Sequence, residues 1–68
     1  MHKKTLWVFG AHASCVKARL IMENHPQVRR VDIDKDERVL TLLLYDPIRV
    51  IELIPLLKES GISGFRYE

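Results

Sequence analysis

The sequence has few of the residues that usually hold a very small protein together. Its 68 residues include one cysteine, Cys15, so neither an internal disulfide nor a four-cysteine zinc site can form within one chain. No apolar run approaches the roughly 18 residues of a membrane span. No repeat, linker or low-complexity segment is present. A chain without these features must bury nearly all of its apolar residues, because ordering each residue costs roughly 1.5 kcal/mol.

Neither sign of charge dominates. Eleven basic and nine acidic residues give a net charge of +2, which is too close to balance to indicate nucleic-acid binding. With 47% apolar and 29% charged residues, the composition is that of a globular chain, and we expect a single domain over residues 1–68. A lone free thiol favours a reducing compartment, so we expect a cytoplasmic protein.

The start of the chain has the outline of a signal peptide. A basic end from Met1 to Lys4 precedes an apolar stretch and a small-x-small site at Ala11 to Ala13. The apolar part is at the lower limit of the usual length, and cleavage would remove a candidate strand. We therefore expect the segment to belong to the fold, with no membrane insertion.

Hydrophobic patterning predicts a strand, a helix and a hairpin in the first two thirds of the chain. The apolar run of residues 6–9 predicts a buried strand ended by Gly10. Ser14 is a candidate N-cap for a helix that ends at Asn24 or His25, because Pro26 follows. Two strands at residues 28–34 and 39–45 are expected to pair about a polar turn at residues 35–37.

The last third predicts a second helix and a fourth strand. The helix runs from about Val50 to Ser60 and ends at Gly61. Because proline is costly inside a helix, we expect the regular part to begin late, with Pro55 near its first turn. Residues 64–67 predict the final strand. This order indicates an α+β, ferredoxin-like βαββαβ fold, a four-stranded antiparallel sheet with two helices on one face and the first and third strands central.

Three stretches of the chain form a recognisable set: residues 26–34, residues 39–47, which end in Tyr-Asp-Pro, and residues 53–61, a predicted helix closed by glycine. They resemble the heavy-metal-associated domain, the ferredoxin-like module of copper chaperones and metal-transporting P-type ATPases. The likeness covers nearly the whole chain. The resemblance implies the same fold and a link to metal transport, as part of a membrane transporter or as its partner.

The family's metal loop, Gly-Met-x-Cys-x-x-Cys, is degenerate here. Residues 10–15 read Gly-Ala-His-Ala-Ser-Cys. One alignment, which needs a gap, makes His12 and Cys15 a His-x-x-Cys variant. Two such ligands suit linear Cu(I) better than Zn(II), so the resemblance implies a soft-metal site as one alternative.

An ungapped alignment gives the other alternative, which we favour. It places Ala11 and Ser14 at the two metal positions. Cys15 then lies on a core position of the first helix and has the helix spacing of Ala18 and Met22. A free cysteine commonly behaves as a small apolar residue. On this interpretation the chain has no cofactor, His12 is solvated, and a positively charged His25 interacts with the helix end.

Both faces of the first and third strands are apolar. One face of each strand must meet the helices, so the other forms an apolar strip on the open side of the sheet. Such a patch is typical of a surface that binds a protein partner or forms a homodimer. Recognition of RNA on this side would need aromatic and basic side chains on the third strand to stack on bases. The third strand has leucines instead, so we expect no binding of nucleic acid. The predicted interface comprises Trp7, Phe9, Leu40, Leu42 and Leu44.

No spacing pairs two carboxylates, or a nucleophile with a base, as an enzyme requires. The sequence therefore predicts a non-enzymatic heavy-metal-associated-like domain that acts as an interaction or regulatory module, and the resemblance implies a link to a metal-transporting P-type ATPase. The alternative is binding and transfer of a soft metal through His12 and Cys15.

Overall fold

The computed structural model describes residues 2–36 and 38–68. Met1 of the basic start and Glu37 of the predicted turn lie outside this part of the chain. The described elements follow the predicted order of strand, helix, strand, strand, helix, strand. They are β1 (His2–Phe9), α1 (His12–Glu23), β2 (Val28–Ile33), β3 (Val39–Leu44), α2 (Val50–Ser60) and β4 (Gly64–Tyr67).

The four strands form one antiparallel sheet in the order β2-β3-β1-β4. The two central strands are therefore β3 and β1. The predicted α+β class, with four antiparallel strands and two helices, is confirmed, and the arrangement is consistent with the ferredoxin-like plan. The edge strand β2 contains an irregularity between Val28 and Arg30, a feature that discourages pairing with another chain at that edge.

The core lies between the sheet and the helices. Cys15, Ala18 and Met22 of α1 are fully buried, as the spacing predicted. From α2, Leu53 and Leu57 enter the same cluster. The buried residues of the central strands alternate, as expected for strands with one face against helices; they are Leu6, Val8, Leu40, Leu42 and Leu44, and Val28 joins them from β2.

The start of α1 differs from the prediction. The helix begins at His12 and its N-cap is Ala11, without a side-chain cap, so Ser14 is not the cap. At the other end, His25 Nδ1 accepts a hydrogen bond from the backbone N–H of Gln27 at 3.2 Å. The ring therefore stabilises the turn that follows the helix.

Pro55 also differs from the prediction, because α2 is helical from Val50 onward with the proline inside it. The missing N–H would have bonded the carbonyl of Ile51, and both residues are exposed, so the helix accommodates the loss on its outer side. The carboxylate of Glu52 accepts the backbone N–H of Arg49 at 2.9 Å, which fixes the first turn. Gly61 ends the helix with a φ of 84°, as predicted.

Candidate functional site

The side of the sheet away from the helices carries a half-exposed apolar strip. Residues that face each other on paired strands point to the same side of a sheet. Three cross-strand pairs of β1 and β3 are Trp7 with Val39, Thr5 with Thr41, and Lys3 with Leu43. We call the following set the open face: Thr5, Trp7, Phe9, Val39, Thr41 and Leu43.

The structure places two of the five predicted interface residues on this surface. Trp7 and Phe9 lie on the open face, and Phe9 is 48% exposed. Leu40, Leu42 and Leu44 do not, because they are at most 1% exposed and pack in the core beneath the helices. Leu40 pairs with Leu6, so it belongs to the buried side of both strands. The open face of β3 is formed instead by Val39, Thr41 and Leu43.

The ring of Trp7 on the open face contacts the guanidinium of an arginine on the neighbouring strand β4. Arg66 of β4 is paired with Trp7, and its guanidinium carbon lies 4.5 Å from the centroid of the Trp7 ring. This cation–π contact holds the arginine over the indole. It also covers part of the ring face that a nucleic-acid base would need for stacking.

Charges of both signs surround the open face. On β2, Arg30 Nη2 lies 3.1 Å from Asp32 Oδ2 in an exposed ion pair. On the opposite edge, Glu68 exchanges two backbone hydrogen bonds with Thr5. Each edge of the sheet thus has an arginine and a carboxylate next to the apolar strip, an arrangement typical of the polar rim of an interface.

The loop between β1 and α1 places its cysteine inside the protein. Cys15 is 0% exposed, and its Sγ lies 4.0 Å from the carbonyl oxygen of Val8 and 3.9 Å from that of Gly10. The thiol therefore points back toward the end of β1. In contrast, His12 is exposed at the first position of α1. A metal held by both side chains would require Cys15 to leave the core.

Arg38 closes this loop from the β2–β3 hairpin. Its Nη1 donates to the carbonyl oxygen of Gly10 at 3.0 Å and lies 3.6 Å from the Sγ of Cys15. Ser63 ties the loop from the other side, since its backbone N–H and its hydroxyl both donate to the carbonyl oxygen of Phe9, at 2.8 and 3.1 Å. A side chain at Gly10 would meet Ser63 N at 3.0 Å. The loop is packed and held by neighbours on both sides.

Neither Arg38 nor Arg66 was singled out from the sequence. Both act through contacts between residues far apart in the chain, and Arg38 is 23 positions from Cys15. Side chains alternate between the two faces along β4, and this alternation could have placed Arg66 on the same side of the sheet as Trp7. For Arg38 no local pattern gives a comparable signal.

Among the residues that the structure describes, no group of three or more histidine, cysteine, aspartate or glutamate side chains is arranged to hold a metal ion. Within the same residues, neither helix is long and apolar enough to cross a membrane. Comparisons of the chain with models of protein families, with curated proteins and with solved structures find no match.

Proposed function

We propose that this chain is a non-enzymatic interaction module of the heavy-metal-associated type, in which the metal loop has become part of the core and the open face is the working surface. The carrying observation is the half-exposed strip around Trp7, Phe9 and Leu43 on the side that no helix covers. Contiguous apolar surface on a small protein is typical of an interaction site. The resemblance implies a role beside a metal-transporting P-type ATPase, and the lone free thiol favours the cytoplasm.

The buried side chains of the first helix support the interpretation that the metal loop is degenerate. Cys15, Ala18 and Met22 are each 0% exposed, which fits the ungapped alignment in which they fill core positions. Ala11 and Ser14 then stand at the two positions where the family has cysteines. Neither side chain offers the soft ligand that Cu(I) prefers, so soft-metal transfer is the less favoured function.

The occupant that we propose for the open face is a second copy of the chain. Its rim has both signs of charge, with Arg30 and Asp32 on one edge and Arg66 near Glu68 on the other. A second copy carries the same arginines and carboxylates, so opposite charges can pair. A polyanion would be repelled by the two carboxylates of the rim. The net charge of +2 also means that two copies repel each other only weakly.

The size of the open face indicates reversible association. Four strands about 4.8 Å apart and about six residues long, at about 3.3 Å each, give a surface of roughly 20 Å by 20 Å. Stable interfaces bury roughly 800 Å² on each partner, which is more than this surface offers. Tryptophan and arginine are enriched among the residues that dominate binding, so Trp7 and Arg66 are expected to contribute most.

The test is the oligomeric state of two charge variants, measured by sedimentation velocity over a range of protein concentrations. Leu43→Glu puts a carboxylate on the half-exposed open face and should abolish association without unfolding the domain. Ile51→Glu is the matched control, because Ile51 is 64% exposed on α2 and lies away from the sheet. A wild-type chain that stays monomeric at all concentrations, or equal effects of the two variants, would defeat the proposal.

A further inference from the structure

The free edge of β4 adjoins an apolar cleft. A cavity of about 150 Å³ lies where the end of α2 meets β4, and its walls are mainly apolar. An apolar cavity of about this volume accepts a benzene-sized group, which is the size of a leucine side chain. It is lined by Leu57, Lys58, Ile62, Ser63, Gly64 and Phe65.

The backbone of β4 has unpaired positions along this edge. Thr5 and Glu68 exchange both of their backbone hydrogen bonds, at 3.2 and 2.9 Å. In an antiparallel ladder such pairs alternate along the strand, so Arg66 also directs its N–H and C=O toward β1. The N–H and C=O groups of Phe65 and Tyr67 therefore point outward, away from the sheet. They are positioned to pair with one additional strand.

We propose that the β4 edge and the adjoining cleft bind an acidic peptide strand of another protein, which adds to the sheet and inserts an apolar side chain into the cleft. Main-chain hydrogen bonds to an exposed edge supply affinity in this mode, and pockets for alternate side chains supply specificity. The residue opposite Phe65 would point to the helix side, where the cleft lies. Its neighbours in the peptide would point to the side of Arg66.

The charges beside the cleft select the peptide. Lys58 is exposed at the rim on the helix side, and Arg66 lies on the other side of the sheet. An added strand thus finds a cation on each face. Lys4 Nζ lies 5.2 Å from the centroid of the Tyr67 ring and adds a third cation at this edge, against two carboxylates on neighbouring residues, Glu59 of α2 and Glu68 after β4. Acidic residues on both sides of the inserted apolar one are therefore favoured.

The cleft is preformed, which lowers the entropic cost of binding. Ser63 is tied to β1 through its backbone N–H and its hydroxyl, both of which donate to Phe9 O. Ile62 and Phe65 pack against the core. The floor of the cleft does not have to be assembled when a peptide arrives.

The experiment uses the full chain and a fluorescein-labelled heptapeptide that has a central leucine, two glutamates on each side of it and threonine at both ends. Fluorescence anisotropy measures its affinity, and amide NMR shifts locate it. Saturable binding that shifts the Phe65 and Tyr67 amides supports the proposal. Lys58→Glu should weaken binding about fivefold, the order of one exposed ion pair, whereas Lys17→Glu, an equal charge change on α1, should not.

Two further arms make the result decisive. Replacing the glutamates of the peptide by lysines should remove binding, and Tyr67→Pro, which deletes one outward N–H, should do the same in a chain that NMR shows to be folded. Absence of saturation, equal binding of the lysine peptide, or shifts confined to Trp7 and Val39 would overturn the inference. So would self-association that Tyr67→Pro alone abolishes, because the edge would then bind a second copy. Leu43→Glu should leave peptide affinity unchanged, which separates this inference from the proposed function.

Discussion

At the scale of the residue, Cys15 acts as a buried side chain whose sulfur matches its surroundings. The Sγ contacts two backbone carbonyls at about 4 Å, those of Val8 and Gly10, under the guanidinium of Arg38. These distances suit a large sulfur atom with a weak donor and exceed those of an oxygen hydrogen bond. The residue is therefore selected by packing, and its polarity contributes little.

This account predicts that Cys15→Ser destabilises the protein. The serine hydroxyl is buried but too short to reach either carbonyl, so an unmade hydrogen bond should cost about 1–3 kcal/mol. Ser14→Ala, one residue away and only partly buried, is the control and should change stability less. Urea unfolding followed by circular dichroism measures both. A Cys15→Ser chain as stable as the wild type would show that the site is open to water.

The burial of Cys15 could be predicted from helix spacing, but its contact with Arg38 could not. The 3,4 pattern of Cys15, Ala18 and Met22 places them on one side of a helix whatever the rest of the chain does. Arg38 reaches Cys15 only because β1 and β3 are neighbours in the sheet. Its role depends on which strands pair in the sheet, and residue type and local spacing do not indicate that pairing.

At the scale of the element, β3 shows what alternation determines and what it leaves open. Its sequence predicts two apolar faces, and the strand has them. Which face is buried depends on the partner strand, because Leu40 is paired with Leu6 and Val39 with Trp7. With leucine on both faces, the hydrophobic pattern does not distinguish the alternatives, and the placement of Leu40, Leu42 and Leu44 on the open side of the sheet was wrong for that reason.

Alanine substitutions in adjacent leucines test this assignment of faces. Leu42 is fully buried, so Leu42→Ala should lower the free energy of unfolding by about 2–5 kcal/mol. Leu43 is half-buried on the open face, and Leu43→Ala should cost clearly less. Chemical denaturation gives both values. The reverse order would mean that the helices cover the other face of the strand.

The β2–β3 hairpin makes stability depend on pH. Asp34 Oδ1 accepts the backbone N–H of Arg38 at 2.8 Å and that of Val39 at 3.0 Å. The N–H groups of Val39 and then Arg38 favour the carboxylate and hold the pKa of Asp34 below its usual value of 3.8. A lowered pKa in the folded state gives stability that is present above 3.8 and is lost as the pH falls through the folded-state value.

We therefore expect Asp34→Asn to be less stable than the wild type at neutral pH, with a difference that shrinks once the pH falls below 3.8. Urea unfolding of both chains across this range measures the difference. Asp36→Asn, in the same turn and exposed, controls for the general effect of removing an acidic charge. A difference that stays constant with pH would show that the Asp34 charge does not act through these bonds.

At the scale of the whole molecule, the order of elements and the antiparallel sheet could be predicted, because turns and periodicity are local signals. The working surfaces could not be fully predicted. The open face needs the register of β1 and β3, and the cleft beside β4 needs the relative position of α2 and the last strand. A small chain without disulfides can gain burial by association, and we propose that its half-exposed apolar strip supplies it.

Amide NMR spectra of the wild-type chain over a dilution series test the central claim most directly. We predict concentration-dependent shifts at the amides of Thr5, Trp7, Val39, Thr41 and Leu43 and at the Trp7 indole. Amides on the outer side of α2, such as those of Ile51 and Glu59, should not move. Spectra that do not change with concentration, or changes confined to the helices, would contradict the claim that the open face associates with a second copy.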